Sequence, residues 1–278
     1  MEHHVLGVTK LVNWLLGKPV AALLAVLHIQ VENPQYPIPN HIAMELVVFT
    51  VAAVFFLWLK RRLSVERPGA VQQCTEMLLT NPMGVGVRDL LDDIVGHGAE
   101  RYLPMLGSIG IFVLFCNLIS LIPGFESPTA TNSVPLGCAV TVFLYYNWCG
   151  VRHHGALRYA QHFTGPEMSL PFPVSLILKV LMLLIETVSN LARLLSLTVR
   201  LWVNMVVSEL LYVTFLSLTL ALFIFVRNLN PVGYVLAVVP LAVPPIFILL
   251  HVFVGILQAF VFTLLPIIYV SGAVAEEH

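Results

Sequence analysis

The fold is decided by residues 170–226, which read LPFPVSLILKVLMLLIETVSNLARLLSLTVRLWVNMVVSELLYVTFLSLTLALFIFV. This stretch is almost continuously apolar, and as one helix rising about 1.5 Å per residue it would extend roughly 85 Å. The hydrocarbon core of a bilayer is only about 30 Å thick. The pattern therefore leaves two possibilities open: two membrane spans with a hidden break, or one long helix that lies steeply tilted in the membrane.

The whole chain has the composition of a membrane protein. Of its 278 residues, 58% are hydrophobic and 10% are charged, whereas soluble domains carry about 25% charged residues. We therefore expect an all-α polytopic membrane protein surrounded by the lipid bilayer. The formal net charge of -1 argues against nucleic acid as a partner, because binding phosphates needs an excess of Lys and Arg. The four cysteines include no CxxC pair, and we assign them neither a disulfide nor a metal.

Apolar segments on both sides of this stretch give about five to six helices in total. The expected membrane spans cover residues 42–60, 102–122, 134–150, 172–226 (tilted) and 232–270 (tilted). Turn residues such as Pro123-Gly124 separate them, and an amphipathic segment is expected over residues 71–79. We group residues 41–278 into a single transmembrane domain. Residues 1–40 are expected to form an external or interfacial segment, with a short surface helix within residues 1–30.

Basic residues follow the first and third spans, at Lys60-Arg61-Arg62 and between Arg152 and Arg158. The loop over residues 125–133, after the second span, contains no Lys or Arg. Because cytoplasmic loops are enriched in Lys and Arg, the two basic clusters indicate the same orientation independently. We therefore expect the N-terminus outside the cell and the C-terminus in the cytoplasm.

Charged residues interrupt the long apolar stretch. Four of them recur every seven residues: Lys179, Glu186, Arg193 and Arg200. Seven steps of about 100° fall about 20° short of two full turns, so all four share one slowly drifting helix face. Each charge at the centre of a membrane helix costs ~2.5–3.5 kcal/mol, so this face must meet protein or water. The sequence leaves open whether Lys179 and Arg193 take part in transport, extend to the membrane interface or pair with Glu186.

Arg200 has no acidic residue three or four positions away along the helix. An unpaired guanidinium inside a membrane is costly, so its counter-charge is expected on another helix or another chain. Ser196 and Asn204 lie one turn on either side and widen the polar stripe. Glu209 lies nine residues further on, about 180° around the helix, and is expected to point to a different neighbour.

The last span carries a matching polar pair, His251 and Gln258, seven residues apart on an otherwise apolar face. The imidazole can exchange a proton near neutral pH, and the amide can hold water or a carboxylate through hydrogen bonds. Structural roles stay open as alternatives, with His251 as a satisfied core residue and Glu209 as a partner for a nearby amide.

Four sequence motifs resemble subunit a of the F-type ATP synthases. They are SLTVRLWVNM at residues 196–205 followed by Glu209, FCNLISLIPG at 115–124, PTATN at 128–132 and LQAFVF at 257–262. The motifs occur in the order typical of that family, and the resemblance covers roughly residues 40–273. Each motif is weak alone, whereas the four together are highly specific.

The resemblance implies a proton-conducting membrane subunit of the Fo sector, CF(0), that serves ATP synthesis and is no enzyme by itself. Arg200 would face the ionised carboxylate on each passing c subunit of the rotor ring and would prevent direct leakage between two half-channels. The remaining matching residues would line these half-channels: Asn204, Glu209, His251 and Gln258 on the outer side, and Glu186 and Ser196 on the cytoplasmic side.

The same resemblance implies partners and a location. The partners would be the c-ring, the b subunits of the peripheral stalk and the lipid bilayer, in the bacterial plasma (inner) membrane, with no cofactor. The last two helices would form a tilted, membrane-embedded hairpin along the ring, which accounts for their excess length. The coupling ion stays open between proton and sodium, because the ring carboxylate belongs to another chain.

Some positions depart from the family pattern. Trp202-Val203 replaces the usual Phe and a small residue, Ser208 stands where Gly or Ala is common, and Ser120 stands in place of Gly. These changes could alter water access, but every proton-handling position remains filled.

Other function classes fit the sequence less well. A secondary transporter would also bury charges, but it usually has paired halves and broken helices, and the sequence lacks such symmetry. An intramembrane metalloenzyme needs clustered ligands, and its best candidates, His153-His154 and His162, lie in a basic loop without an HExxH motif. A GxxxxGK[ST] nucleotide motif is also lacking, which fits ATP chemistry in a separate catalytic head.

Overall fold

A computed structural model describes residues 7–26, 35–65, 67–81, 86–96, 98–122, 125–162, 172–227 and 238–274. All regular structure in these ranges is helical. The α-helices are α1 (Gly7–Val26), α2 (Asn40–Arg62), α3 (Ala70–Leu79), α4 (Val87–Ile94), α5 (Leu103–Leu118), α6 (Ser133–His154), α7 (Ala156–His162), α8 (Phe172–Arg227) and α9 (Val238–Val274). Short 3₁₀ turns cover Ala99–Arg101, Ile119–Leu121 and Pro128–Ala130.

Six of the described helices are long and apolar enough to cross a membrane: α1, α2, α5 with its 3₁₀ extension, α6, α8 and α9. The prediction of an all-α polytopic membrane protein is thereby confirmed, and the segment over residues 71–79 that was expected to be amphipathic lies in the short helix α3. The length and composition of α1 would allow a crossing as well. The interfacial placement of residues 1–30 therefore stays a prediction.

The long apolar stretch forms one uninterrupted helix rather than two spans with a hidden break. Helix α8 has 56 residues, which corresponds to a length of about 84 Å. Helix α9 has 37 residues, or about 55 Å. Both lengths exceed the roughly 30 Å of a bilayer core, as expected for strongly tilted helices. The predicted turn at Pro123-Gly124 lies outside the described residues.

The chain divides into two compact units. The first unit comprises Met1–Gly69, Ile111–Val134 and Trp202–Phe260, and the second comprises Ala70–Gly110, Pro135–Leu201 and Val261–His278. Four of the boundaries fall within helices, in α5, near the start of α6, in α8 and in α9, so each of these helices contributes to both units. That residues 41–278 act as one transmembrane domain stays a prediction.

Within the first unit, the side chain of Asn13 fastens α1 to the segment that leads into α2. Its Nδ2 donates to the carbonyl of Ile38 at 2.9 Å, and its Oδ1 accepts from the Ile38 backbone N–H at 3.0 Å. Val12, Ile38 and Ala43 form a small buried cluster around this contact. The buried amide is thus satisfied on both sides, as buried polar groups require.

Within the second unit, the end of α9 is tied to α4, because the hydroxyl of Ser271 donates to the carbonyl of Ile94 at 2.9 Å. The short helix α7 packs back on α6, where the Tyr159 hydroxyl donates to Asn147 Oδ1 at 3.1 Å. Burial raises the pKa of the Tyr159 phenol above its ordinary value. This phenol therefore stays neutral at physiological pH and acts as a hydrogen-bond donor.

Candidate functional site

Polar side chains from α8 and α9 meet inside the first unit. Nδ2 of Asn204 on α8 donates to Oε1 of Gln258 on α9 at 2.9 Å. One turn along α8, the hydroxyl of Ser208 lies 2.7 Å from Nδ1 of His251. From the first contact to the second, the residue number rises along α8 and falls along α9. These helix segments therefore run antiparallel, as in a hairpin.

The imidazole of His251 has polar neighbours on both ring nitrogens. Its side chain is only 6% exposed, with Ser208 beside Nδ1. Nε2 lies 2.9 Å from the hydroxyl of Ser120 and 3.3 Å from the backbone carbonyl of Asn117. The ring is thus held between a hydroxyl from α8 and two oxygens from the end of α5, without a charged hydrogen-bond partner among the described residues.

Asn117 connects this end of α5 to α9 and to the loop that follows α5. It is fully buried; its Nδ2 donates to the carbonyl of Gly255 at 3.1 Å, and its Oδ1 accepts from the Thr129 hydroxyl at 2.7 Å. Ser127 extends the chain of bonds, contacting Thr129 Oγ1 at 2.7 Å and donating to the carbonyl of Cys116 at 3.0 Å. These bonds fasten the loop that follows α5 next to the His251 ring.

Gly255 allows α9 to approach Asn117 closely. A Cβ at this glycine would lie 3.3 Å from the Cβ of Asn117, a distance that would force the two backbones slightly apart. The absent side chain therefore permits the bond between the Asn117 amide and the Gly255 carbonyl.

Gln258 is the most deeply buried of the polar residues predicted from the sequence, with 2% of its surface exposed. Its Oε1 is occupied by Asn204, whereas its Nε2 has no hydrogen-bond partner among the described residues. A buried unpaired donor is uncommon in folded proteins. It therefore provides a position that can donate to a water molecule or to an anionic group.

Glu209 lines an open groove on the first unit. The groove has a volume of about 410 Å³, and its lining is otherwise mostly apolar: Ala130, Val206, Leu210, Val213 and Thr214. The carboxyl group lies next to Glu126 and the backbone of Ser127, in the loop after α5. Glu209 was predicted to point to a different neighbour from the polar stripe of Arg200, and its neighbours are these loop residues. The Trp202 indole fastens α8 to the same loop, donating to the Ala130 carbonyl at 3.0 Å.

Arg200 lies in the second unit and is exposed. One of its nitrogens donates to Ser196 Oγ at 3.4 Å, which is long for a hydrogen bond and therefore weak. In the part of the chain that the structure describes, no carboxylate forms an ion pair with Arg200. The sequence offers Arg200 no acidic partner three or four residues away, and no other described carboxylate takes that place.

The other arginine of the stripe is paired. Nη2 of Arg193 lies 3.7 Å from Oε1 of Glu186, and its guanidinium lies 5.5 Å from the ring centre of Tyr269. Tyr269 in turn contacts the ring of Tyr146, whose hydroxyl donates to Asn190. The sequence left open whether Arg193 pairs with Glu186, and in the structure it does. Lys179 is exposed.

Asn204, His251 and Gln258 are thus brought together in one cluster, with Glu209 in the same unit. Arg200, Ser196 and Glu186 belong to the second unit. Sequence reasoning did not foresee the partners that hold these groups: Ser120, Ser208, Asn117, Thr129, Tyr269 and Asn190. Ser120 and Ser208 could have been noticed in the sequence, because they carry hydroxyl groups where the family pattern has small residues. Nothing in the sequence distinguished the other four residues from ordinary motif or helix residues.

Metal ligation is not favoured by the arrangement of the described residues, which contain no group of three or more His, Cys, Asp or Glu able to hold an ion. The rings of His153 and His154 contact each other with centres 4.8 Å apart, and the side chain of His162 lies outside the described residues.

Comparison with known proteins gives one consistent result. Residues 42–271 match the family described as ATP synthase A chain. ATP synthase subunit a of Koribacter versatilis is 36% identical over 275 residues, covering 99% of both chains. The corresponding protein of Solibacter usitatus is 42% identical over 242 residues, covering 87% of this chain and 90% of the relative. That of Aquifex aeolicus is 34% identical over 242 residues, covering 86% and 99%.

Proposed function

The chain belongs to the ATP synthase A chain family, and on this premise we propose that it is the stationary subunit through which protons cross the membrane to drive the rotor. It supplies two offset half-channels, and Arg200 separates them while it faces the carboxylates of a ring of c subunits. The chain itself catalyses no reaction, because ATP chemistry belongs to another part of the complex.

The observation that carries this proposal is the environment of Arg200. Its guanidinium is exposed on a membrane helix, with one weak bond to Ser196 and no ion-pair partner among the described carboxylates. A lone charge at the centre of a membrane helix costs ~2.5–3.5 kcal/mol or more. A carboxylate from another chain, presented at the exposed face of α8, would offset that cost.

The shape of α8 supports the same partner. The helix is 56 residues long, and most of its large apolar side chains are exposed, including Leu184, Leu191 and Leu195 before Arg200 and Leu210 after it. A long apolar face that carries the Arg200 guanidinium suits a surface that slides past successive apolar helices, each carrying one buried carboxylate. We assign this surface to the c-ring.

Two separate groups of residues serve the two half-channels. The outer path uses Asn204, Glu209, His251 and Gln258, all in the first unit, and the cytoplasmic path uses Glu186 and Ser196. A proton that crosses a membrane potential delivers about 2.3 kcal/mol per 100 mV. This energy performs work only if the proton cannot pass directly between the paths, and the fixed positive charge of Arg200 opposes direct passage.

The orientation follows from the basic residues that end the spans. Lys60, Arg61 and Arg62 form the last turn of α2, and Arg152 lies in the last turn of α6. The positive-inside rule assigns such basic ends to the cytoplasm, and this supports an orientation in the bacterial plasma (inner) membrane with the N-terminus outside and the C-terminus inside. The b subunits of the peripheral stalk are the further partners that hold this subunit stationary.

Replacing Arg200 by Ala tests the proposal. In membrane vesicles that contain the assembled complex, Arg200→Ala should abolish proton-driven ATP synthesis while this chain remains in the complex. Val199→Ala is the control, because this exposed neighbour of Arg200 carries no polar group, and it should retain most of the activity. Near-normal ATP synthesis by assembled Arg200→Ala would falsify the proposal.

A further inference from the structure

Two hydroxyl groups flank the ring of His251 at positions where the family pattern has small residues. Resting on the proton path proposed above, we propose that Ser208 relays protons to and from Nδ1 of His251. Ser120 and the Asn117 carbonyl, in contrast, hold Nε2 in its protonated form. His251 then takes up and releases its proton only through Nδ1, on the side of the ring that faces α8.

The Nε2 side of the ring faces two oxygen atoms, from Ser120 and Asn117. The Ser120 hydroxyl donates to the carbonyl of Asn117 at 3.2 Å, so its proton is engaged there and its lone pairs are available to the imidazole. The carbonyl of Asn117 can only accept hydrogen bonds. Both oxygens near Nε2, at 2.9 Å and 3.3 Å, therefore act as acceptors, and the neutral ring carries its proton on Nε2.

The Nδ1 side of the ring faces the Ser208 hydroxyl. With the proton on Nε2, Nδ1 of the neutral ring is an acceptor, and it receives the proton of the Ser208 hydroxyl 2.7 Å away. When His251 becomes an imidazolium, Nδ1 becomes a donor, and the same hydroxyl can rotate and accept. Ser208 is thus the neighbour that reverses its role between the two charge states, and the partners of Nε2 keep theirs.

The proton transfer balances with water as the only co-reactant. A hydronium ion of the outer path donates to Ser208 Oγ while the Ser208 O–H bond breaks and the Nδ1–H bond forms. The hydroxyl is neutral again, the ring carries one positive charge, and a water molecule remains. Release reverses these steps. The 2.7 Å separation lies within the range required for direct proton transfer between heavy atoms.

The test compares three variants in the assembled complex. Ser208→Ala removes the relay, and it should lower proton-driven ATP synthesis about tenfold, less than the ~10²–10⁴-fold typical of a lost general acid–base group because water can partly replace the hydroxyl. Ser208→Thr keeps a hydroxyl and should restore most of the rate. Ser120→Ala is the matched control and should cost less than Ser208→Ala, because the Asn117 carbonyl still holds Nε2–H.

Rates of ATP synthesis measured in H₂O and in D₂O distinguish a proton relay at Ser208 from a purely structural role of this residue. If proton delivery becomes the slow step, the H₂O/D₂O rate ratio of Ser208→Ala rises above that of the unmodified chain. Should Ser208→Ala fail to assemble, Ser208→Gly provides a second variant without the hydroxyl.

Three results would overturn the relay: an unchanged rate in Ser208→Ala, no recovery in Ser208→Thr, or an equal loss in Ser120→Ala. Arg200→Ala measured in the same vesicles keeps the two proposals distinguishable. If Arg200→Ala is inactive while Ser208→Ala is normal, the relay fails and the proposed function stands. If Arg200→Ala is active, the proposed function itself fails.

Discussion

Nδ2 of Asn204 on α8 donates a 2.9 Å hydrogen bond to Oε1 of Gln258 on α9. This bond occupies the side-chain acceptor of Gln258 and turns its Nε2 towards a buried position that offers no partner among the described residues. The two amides therefore act as a unit, in which Asn204 orients the donor that Gln258 presents.

A double-mutant cycle on these two amides tests whether they act together. Asn204→Ala and Gln258→Ala should each lower proton-driven ATP synthesis, and the double variant should be little worse than the more severe single one. The coupling expected from one lost bond is about 0.6 kcal/mol or more, the average for interhelical hydrogen bonds in a membrane. Effects that multiply independently would show that the amides act separately.

The ion pair of Glu186 with Arg193 allows a proton-conducting role of Glu186 to be distinguished from a purely structural one. If Glu186 conducts protons, Glu186→Gln should lower ATP synthesis even when Arg193→Gln has already removed its partner. If the carboxylate only pairs with Arg193, the double variant should resemble Arg193→Gln alone. We expect the first result, because both side chains are over a third exposed and the atoms lie 3.7 Å apart, so the ion pair contributes only about 0–1 kcal/mol.

Asn117→Ala should destabilise the chain more than it alters the chemistry. The substitution removes the hydrogen bonds that the Asn117 side chain makes to the buried Gly255 carbonyl and to the Thr129 hydroxyl, at about 0.5–1.5 kcal/mol for each bond. The temperature at which this chain is lost from the detergent-solubilised complex should therefore fall. Asn132→Ala, in the same loop but exposed, is the control and should leave that temperature unchanged. Equal effects of both substitutions would contradict the role of Asn117.

The sequence predicted the helical segments well because a bilayer imposes a simple requirement on them. Long apolar runs such as residues 170–226 have to satisfy their backbone groups internally, and a helix does so. Hydropathy could not distinguish one helix from two in that run, because both bury the same side chains in lipid. The continuous helix from Phe172 to Arg227 settled the question.

Periodicity also predicted part of the candidate site. The seven-residue spacing of His251 and Gln258 predicted a common face, and both meet α8 side chains. Spacing along one helix carries no information about the chain that packs against it. The contacts of Asn117 with Gly255 and of Arg193 with Tyr269 join residues more than 70 positions apart, so they could be found only from the fold.

Gly255 limits how this sequence can change over evolution. A methyl group at this position would lie 3.3 Å from the Cβ of Asn117, and it is disfavoured while the Asn117 amide holds the Gly255 carbonyl through a hydrogen bond. Every residue other than glycine at 117 keeps that Cβ, but without the amide no hydrogen bond holds the two helix segments at this separation, and they can move apart by the few tenths of an ångström that the methyl group needs. The two positions should therefore covary among relatives, with glycine at 255 kept wherever asparagine is kept at 117.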